Sequence, residues 1–372
     1  MKILLVGEFS GVHTQLANAL KESGHHVVTI SDGDAYKNFP RDITIPIKVR
    51  KGKISFFFDY LSDFLGVKGL ITYYKHRYIF ERCKGYDVVQ LINSIPISGF
   101  GSIATFLMTR KLLSNNSNIF LCALGDDYRW VDACLKKKYK YSAFDNFNIY
   151  TLPKYLYSLK YKYGFYFKQL HLFIERECRA IIPGLVDYKI AYDNHPKLSE
   201  LIKLPIDISD CVIPSPKATK KINIFHGWQV GKECKKGNLV LDEAMQHILK
   251  KYGPEKINYI ICRSVPYSKY IELITEADIF LDQVYSYDYG VNGLLGMHSS
   301  AVVFSGYECS KDAIGVNALP DVNALINSLS YIIDNPEEME RIKVNAMNYV
   351  MKHHNARKIA DKYLSLWASF NE

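Results

Sequence analysis

Several short stretches of the chain carry residue types that could do chemistry. Gly7-Glu8-Phe9-Ser10-Gly11-Val12-His13 follows an apolar run and opens a helical pattern. Glycine lets backbone approach a ligand closely, and the first amides of a helix favour an anion or an oxygen-rich group. Gly11 is therefore a binding candidate and His13 a catalytic one. The stretch lacks the G-x-G-x-x-G spacing of dinucleotide sites, and a purely structural turn is the competing reading. Asp32-Gly33-Asp34 has the D-x-D spacing with which paired carboxylates can hold a divalent cation. It lies among turn formers, so it is read as a solvated turn and no metal site is assigned. Gly125-Asp126-Asp127 ends another apolar run. One carboxylate there can serve as acid or base or position a substrate hydroxyl, while Asp is also a favoured helix N-cap. Asp126 is the catalytic candidate of the pair.

The second half offers a different set. His226-Gly227-Trp228 closes a strand-like run, and Lys232, Lys235, Lys236 and Gly237 follow just before a helical pattern. Lysines beside a helix N-terminus can neutralise a pyrophosphate without metal; a solvated charge run is the plainer alternative. Lys236 is expected to be an exposed loop lysine. Arg263, at the end of the next strand-like run, joins the same binding set. Asp282-Gln283 then leads into Tyr285, Tyr287, Asp288, Tyr289, Gly290, Val291 and Asn292. A glycine-bearing loop that runs into a helix presents amides to a phosphate, and Asp288, the third catalytic candidate, can accept from sugar or ribose hydroxyls. Packing by the tyrosines alone would give the same composition. Neither a metal nor another cofactor is expected.

These residues need strand ends and helix starts to hold them. In the first half Ile3–Gly7, His26–Ile30, Asp87–Ile92, Ile119–Leu124 and Arg179–Pro183 read as buried strands. Helical spacing covers Val12–Ser23 and Gly101–Leu113, with helical insertions rich in Phe, Tyr and Lys at 50–82 and 128–175. A Pro-rich linker runs from Leu204-Pro205-Ile206-Asp207 through Pro214 and Pro216 to Lys220. Strand and helix patterns then restart at Ile222 and end in an amphipathic helix, Ala356–Phe370. The pattern predicts an α/β protein of two Rossmann-like domains facing a cleft. Residues 1–205 form the first domain and 206–355 the second, with 356–372 a terminal helix that crosses back to the first.

Composition narrows the class. The chain has 372 residues, 48% of them hydrophobic and 23% charged, which excludes global disorder. Its eight cysteines form no C-x-x-C pair, so reduced buried thiols in a cytoplasmic protein are expected. No apolar run is long enough to span a bilayer. Residues 1–180 hold 26 Lys+Arg against 15 Asp+Glu, whereas residues 181–372 hold 21 against 23. The entire excess of +9 therefore sits in the first half, where Lys and Tyr interleave over Tyr139–Tyr166. Such a half suits an anionic partner. No nucleic-acid recognition motif accompanies it, so nucleic acid is not expected. Peripheral attachment to an anionic membrane through residues 136–170 is.

The layout resembles the GT-B glycosyltransferases, in particular the large retaining family that includes bacterial mannosyl- and glucosyltransferases. The resemblance spans nearly the whole chain. It is clearest at His226, Lys236-Gly237, Asp282-Gln283, Tyr289-Gly290 and Gly296-Met297, with Leu204-Pro205-Ile206-Asp207 similar to the family's linker entrance. It implies a retaining, metal-independent transferase with a nucleotide-sugar donor on the second domain and a polysaccharide, lipid-linked or other glycan acceptor on the first. The family's two glutamates, eight positions apart, fall at Tyr287 and Leu295, neither of them acidic. The alternative is thus a catalytically inactive GT-B-like binding protein in a glycan-assembly complex.

Overall fold

A computed structural model describes residues 1–34, 37–47, 52–208, 221–228, 230–263, 265, 267–310 and 312–370. The chain divides into two compact units. The first comprises Met1–Lys136, Tyr155–Pro205 and Ala356–Glu372; the second comprises Lys137–Lys154 and Ile206–Asn355.

The first unit is built on a parallel sheet of β1 (Lys2–Val6), β2 (His26–Ser31), β3 (Ile43–Thr44), β4 (Val88–Leu91), β5 (Ile119–Ala123) and β6 (Ile181–Pro183). The strand order is β3-β2-β1-β4-β5-β6. Leu4 lies opposite Val28 on one side and Val89 on the other. Ile3, Leu4, Leu5 and Val6 are fully buried, which is why the strand reads as an unbroken apolar run: helices cover both faces. These helices are α1 (Val12–Glu22), α2 (Lys53–Phe64), α3 (Leu70–Arg82), α4 (Ser102–Asn115), α5 (Tyr128–Leu135), α6 (Leu152–Tyr163), α7 (Phe167–Glu177) and α8 (Val186–Ala191). Strand order reverses between β1 and β4, where open α/β sheets bind their ligands.

The second sheet is also parallel. Its strands are β7 (Ile222–Trp228), β8 (Ile257–Arg263), β9 (Ile279–Leu281), β10 (Val302–Ser305) and β11 (Val316–Asn317), in the order β11-β10-β9-β7-β8. The helices are α9 (Glu233–Lys236), α10 (Asn238–Lys256), α11 (Tyr267–Thr275), α12 (Val291–His298), α13 (Val322–Asp334) and α14 (Pro336–His353). α10 is interrupted at Gly253, whose φ of 73° precedes Pro254. The last helix, α15 (Ala356–Ala368), belongs to the first unit. There Tyr363 and Trp367 are buried, and the Trp367 ring centroid lies 6.4 Å from that of Phe120 on β5.

The expected α/β class and the two Rossmann-like sheets are present. Other expectations need correction. The Lys–Tyr segment is only partly a surface: Tyr139, Tyr141, Tyr155, Tyr161 and Lys160 are buried, whereas Lys136, Lys137, Lys138, Lys140, Tyr150, Tyr157 and Tyr163 are exposed. The buried side chains build polar networks that sequence spacing does not reveal. The linker from 209 to 220 lies outside the described residues, while at its entrance Ile206 donates its amide to His354. Six of the described cysteines are buried and Cys309 is exposed; Cys211 lies outside the described residues. Among the described residues no helix is long and apolar enough to cross a membrane.

Candidate functional site

In the first unit the candidates gather on the loops after β1, β4 and β5. Gly7 has φ 89°, and a Cβ there would lie 2.4 Å from Ile92 and 2.5 Å from the Pro96 carbonyl. Only glycine lets the β1 loop pass so close to the β4 loop. Gly11 (φ 87°) stands immediately before α1. His13 is buried under this turn. Its Nδ1 donates to the Gly7 carbonyl (2.8 Å), and its Nε2 accepts from the Gln90 amide (3.2 Å). Burial pushes the imidazole down to about 4, against the opposing Gly7 hydrogen bond, so the ring is neutral near pH 7. His13 thus holds the loop from beneath.

The D-x-D pair lies in a turn, as expected, but it is not a solvated one. Asp32 is buried and accepts from both the amide and the hydroxyl of Ser98, each at 2.6 Å. Asp34 accepts from the Ser10 amide (2.8 Å) and from Lys37 (2.7 Å). The two carboxylates tie the β2 turn to the loops after β1 and β4. Glu8, which sequence reasoning passed over, is also buried. It receives the Thr14 amide and hydroxyl at 2.8 and 2.7 Å, and burial raises its pKa despite them.

Asp126 and Asp127 separate cleanly. Asp127 caps α5 through the Trp130 amide (2.8 Å) and accepts from the Tyr192 hydroxyl (2.7 Å). It is fully enclosed, and desolvation raises its pKa. Asp126 is half-buried and receives the Ser158 hydroxyl. Close to that serine, buried Lys160 pairs with Asp63 at 2.7 Å, and Asp126 is among the negative groups that raise the lysine's pKa, although desolvation opposes them. Ser158, Lys160 and Asp63 are 32 or more residues away from Asp126 in sequence, so no local motif announces them.

In the second unit the candidates sit at the carboxyl ends of β7, β8 and β9. His226 is buried within a relay. Tyr259 donates to Asp242 (2.9 Å) and accepts from His226 Nδ1 (2.7 Å), while Asn238 donates to Nε2 (2.9 Å). Burial, then the charges of Lys236 and Arg263, push His226 down to about 3, leaving it neutral. Its ring lies 5.2 Å from that of Trp228, over which the Arg263 guanidinium sits at 4.9 Å. Lys232 is exposed at the start of α9.

Lys236 is not an exposed loop lysine. It ends α9, and its Nζ pairs with buried Asp282 at 2.8 Å, while Ser305 donates to the other Asp282 oxygen at 3.0 Å. Gly237 separates α9 from α10 with φ 72°; a Cβ there would lie 2.2 Å from Val284. The β9 loop then delivers α12. A Cβ at Gly293, in the first turn of that helix, would lie 3.7 Å from Asp282 Oδ2, so Lys236, Asp282 and the start of α12 are neighbours. Gly290 precedes α12 without a side-chain cap, and open space surrounds the position of its missing Cβ. Val291 and Asn292 follow in the same turn, both half-buried.

The loop tyrosines have structural partners. Tyr289 bonds to buried His354 (3.1 Å), and Asp288 accepts the Tyr289 amide (2.9 Å). Tyr287 is buried, with its hydroxyl taken by the Lys140 amide at 2.5 Å and its ring packed on Tyr139 and Tyr141. Leu295 is half-buried on α12. Beside Tyr287 stands Glu308, which accepts from Lys140 (2.8 Å), Tyr141 (3.0 Å) and Asn317 (3.0 Å). Asn146 donates to the Tyr285 hydroxyl at 3.0 Å. The tyrosines thus hold residues 139–146 onto this loop, an arrangement without a sequence signal because the partners are more than a hundred residues apart.

No protein-family model and no curated protein sequence matches the chain. Solved structures do. HepE from Anabaena, solved with UDP-glucose, is 11% identical with a TM-score of 0.59, covering 99% of this chain and 100% of its own. Sucrose-phosphate synthase from Thermosynechococcus elongatus is 12% identical with a TM-score of 0.61, covering 100% and 99%. A protein provisionally assigned as a UDP-N-acetylglucosamine 2-epimerase from Listeria monocytogenes is 11% identical with a TM-score of 0.51, covering 100% and 97%. At these identities the likeness establishes the fold, GT-B, over the full chain.

Proposed function

We propose that the chain is a glycosyltransferase that takes its sugar from a nucleotide-activated donor held by the second unit. One observation carries this reading: the Lys236 ammonium, buried Asp282 and the uncapped start of α12 are neighbours, with open space at Gly290. Helix amides and a fixed cation suit a diphosphate, and they stabilise it most as it leaves with full charge. Because Asp282 shares the ammonium, Lys232, Arg263 and the amides of Val291 and Asn292 supply the remaining positive potential. Asp288 would accept from donor hydroxyls. The charge is supplied by protein, so transfer would need no metal. The UDP-glucose bound in the HepE structure supports a nucleotide-sugar donor here.

On the first unit, Asp126 would orient an acceptor hydroxyl or take its proton, with Ser158 fixing the carboxylate. Neutral His13 would position the Gly11 turn. Retention of configuration, and a glycan or lipid-linked acceptor at an anionic membrane face of the cytoplasm, extend the same reading.

A second reading is a binding protein that has lost catalysis. The burial of Tyr287, with its hydroxyl committed to Lys140, favours it, since no carboxylate occupies that slot. A thermal-shift screen of UDP-, GDP- and CMP-sugars separates the possibilities. A donor at a hundred times its dissociation constant stabilises by about 2.7 kcal/mol. Stabilisation followed by turnover supports transfer, and stabilisation without turnover supports the binding protein. An epimerised free sugar would place the chain with the epimerases of this fold. No shift with any donor removes the donor site.

A further inference from the structure

α2 is amphipathic in the reverse of the usual sense. Its polar side chains face the protein. Asp63 is buried against Lys160 at 2.7 Å, Asp59 pairs with Lys68 at 2.9 Å, and the Tyr60 hydroxyl donates to the Leu156 carbonyl at 3.4 Å. Its apolar side chains face solvent: Ile54 is 76% exposed, Phe56 74%, Phe57 60% and Phe58 54%. The apolar exposure continues at Leu61 and, on α3, at Ile71. Phenylalanines left in water forgo the stabilisation that burial would give them, so such a surface marks a partner.

We propose that α2 is a membrane-docking helix that lays its phenylalanines into the interface of an anionic bilayer. Two observations select a bilayer over a second copy of the chain. Residues 48–82 carry eight Lys and Arg against three Asp and Glu, an excess of five; Asp59 is paired within the segment, with Lys68, and Asp63 outside it, with Lys160. Two such segments brought face to face would repel through their net charge, whereas an anionic bilayer accepts both the aromatic rings and a net positive segment. The buried Asp63–Lys160 pair fixes the polar face against α6, so the helix is presented with its apolar face already outward and needs no rearrangement to dock. The proposal stands apart from the donor chemistry. It adds a surface to the one expected over residues 136–170, where four of the eight tyrosines are buried.

The test is co-sedimentation of the full chain with vesicles of equal parts phosphatidylglycerol and phosphatidylcholine, and with phosphatidylcholine alone. The wild type is expected to bind the anionic vesicles, less tightly at high salt. The triple variant Phe56→Ser, Phe57→Ser, Phe58→Ser should bind roughly a hundredfold more weakly. It should melt no lower than wild type, since the rings it removes are exposed. Tyr150→Ser, at a side chain 91% exposed on the second unit, should bind like wild type. In Phe57→Trp, the emission of the new indole should move to the blue on anionic vesicles. Unchanged binding by the triple variant would overturn the proposal. So would a wild-type dimer that the triple variant dissolves, because a second copy would then be what covers the helix.

Discussion

Lys236 has two roles that pull on different measurements. Its ammonium compensates buried Asp282, and it stands beside the start of α12, where a diphosphate would lie. Lys236→Ala should therefore lower kcat/KM by roughly 10- to 100-fold, the loss of one charge-assisted contact of about 1.5–3 kcal/mol. It should also lower stability, because Asp282 keeps its burial and loses its cation. About 1–3 kcal/mol is expected from chemical denaturation. A variant with full activity would remove the phosphate site from this lysine. Asp126 and Asp127 make the complementary case. Asp127→Ala deletes the cap of α5 and removes the acceptor of the Tyr192 hydroxyl, so it should cost about 1–3 kcal/mol of stability. Asp126→Asn should leave the melting temperature nearly unchanged and depress transfer. Equal effects of the two variants on stability would contradict this division of labour.

At the scale of elements, α5, α7 and α8 are joined by one buried network. Arg129 on α5 makes paired bonds to Glu175 on α7 at 2.7 and 2.8 Å, His171 lies 3.1 Å from the same carboxylate, and Tyr192 links His171 to Asp127. Burial by itself would raise the Glu175 pKa. The hydrogen bonds and charges of Arg129 and His171 overcome it and hold the group at about 2, below its ordinary 4.5. The folded-state value is depressed, so the stabilisation is complete above about pH 4.5 and disappears as pH falls through about 2. Glu175→Gln should therefore destabilise by roughly 2–4 kcal/mol at pH 7, with the gap to wild type closing between those two values. Urea titrations at stepped pH measure it, and a gap that stays constant down to pH 2 would show that Glu175 is not held this way. The elements themselves were readable from the chain. Ile3–Gly7 reads as a parallel strand by being apolar on both faces, and the helical pattern over Asn238–Lys251 stops just short of the interruption that the structure shows at Gly253. The two-residue strands β3 and β11 and the short helices α8 and α9 escaped, because segments that short carry no periodicity.

For the molecule as a whole, most of the charge excess of the first half and the exposed aromatic face of α2 belong to the same unit. The requirement for metal is also a question at this scale. Both carboxylates of Asp32-Gly33-Asp34 are committed to Ser98, Ser10 and Lys37, so this spacing is explained by loop anchoring. Transfer activity should consequently survive EDTA. Loss on chelation and restoration by manganese would return that pair to the chemistry.

The order of strands and helices, the restart after the Pro-rich stretch and the candidate loops were determined by the sequence alone. Apolar period and turn residues are local properties, and parallel sheets place loop motifs at predictable strand ends. Only the tertiary structure decided which of two adjacent aspartates is the cap, and that His13 and His226 are neutral and enclosed. It also showed that Tyr287 binds Lys140 and that the phenylalanines of α2 face outward. Each of these depends on partners distant in the chain and on which face of an element is covered. Burial and long-range hydrogen bonds are properties of the packed chain, and no short stretch of residues encodes them.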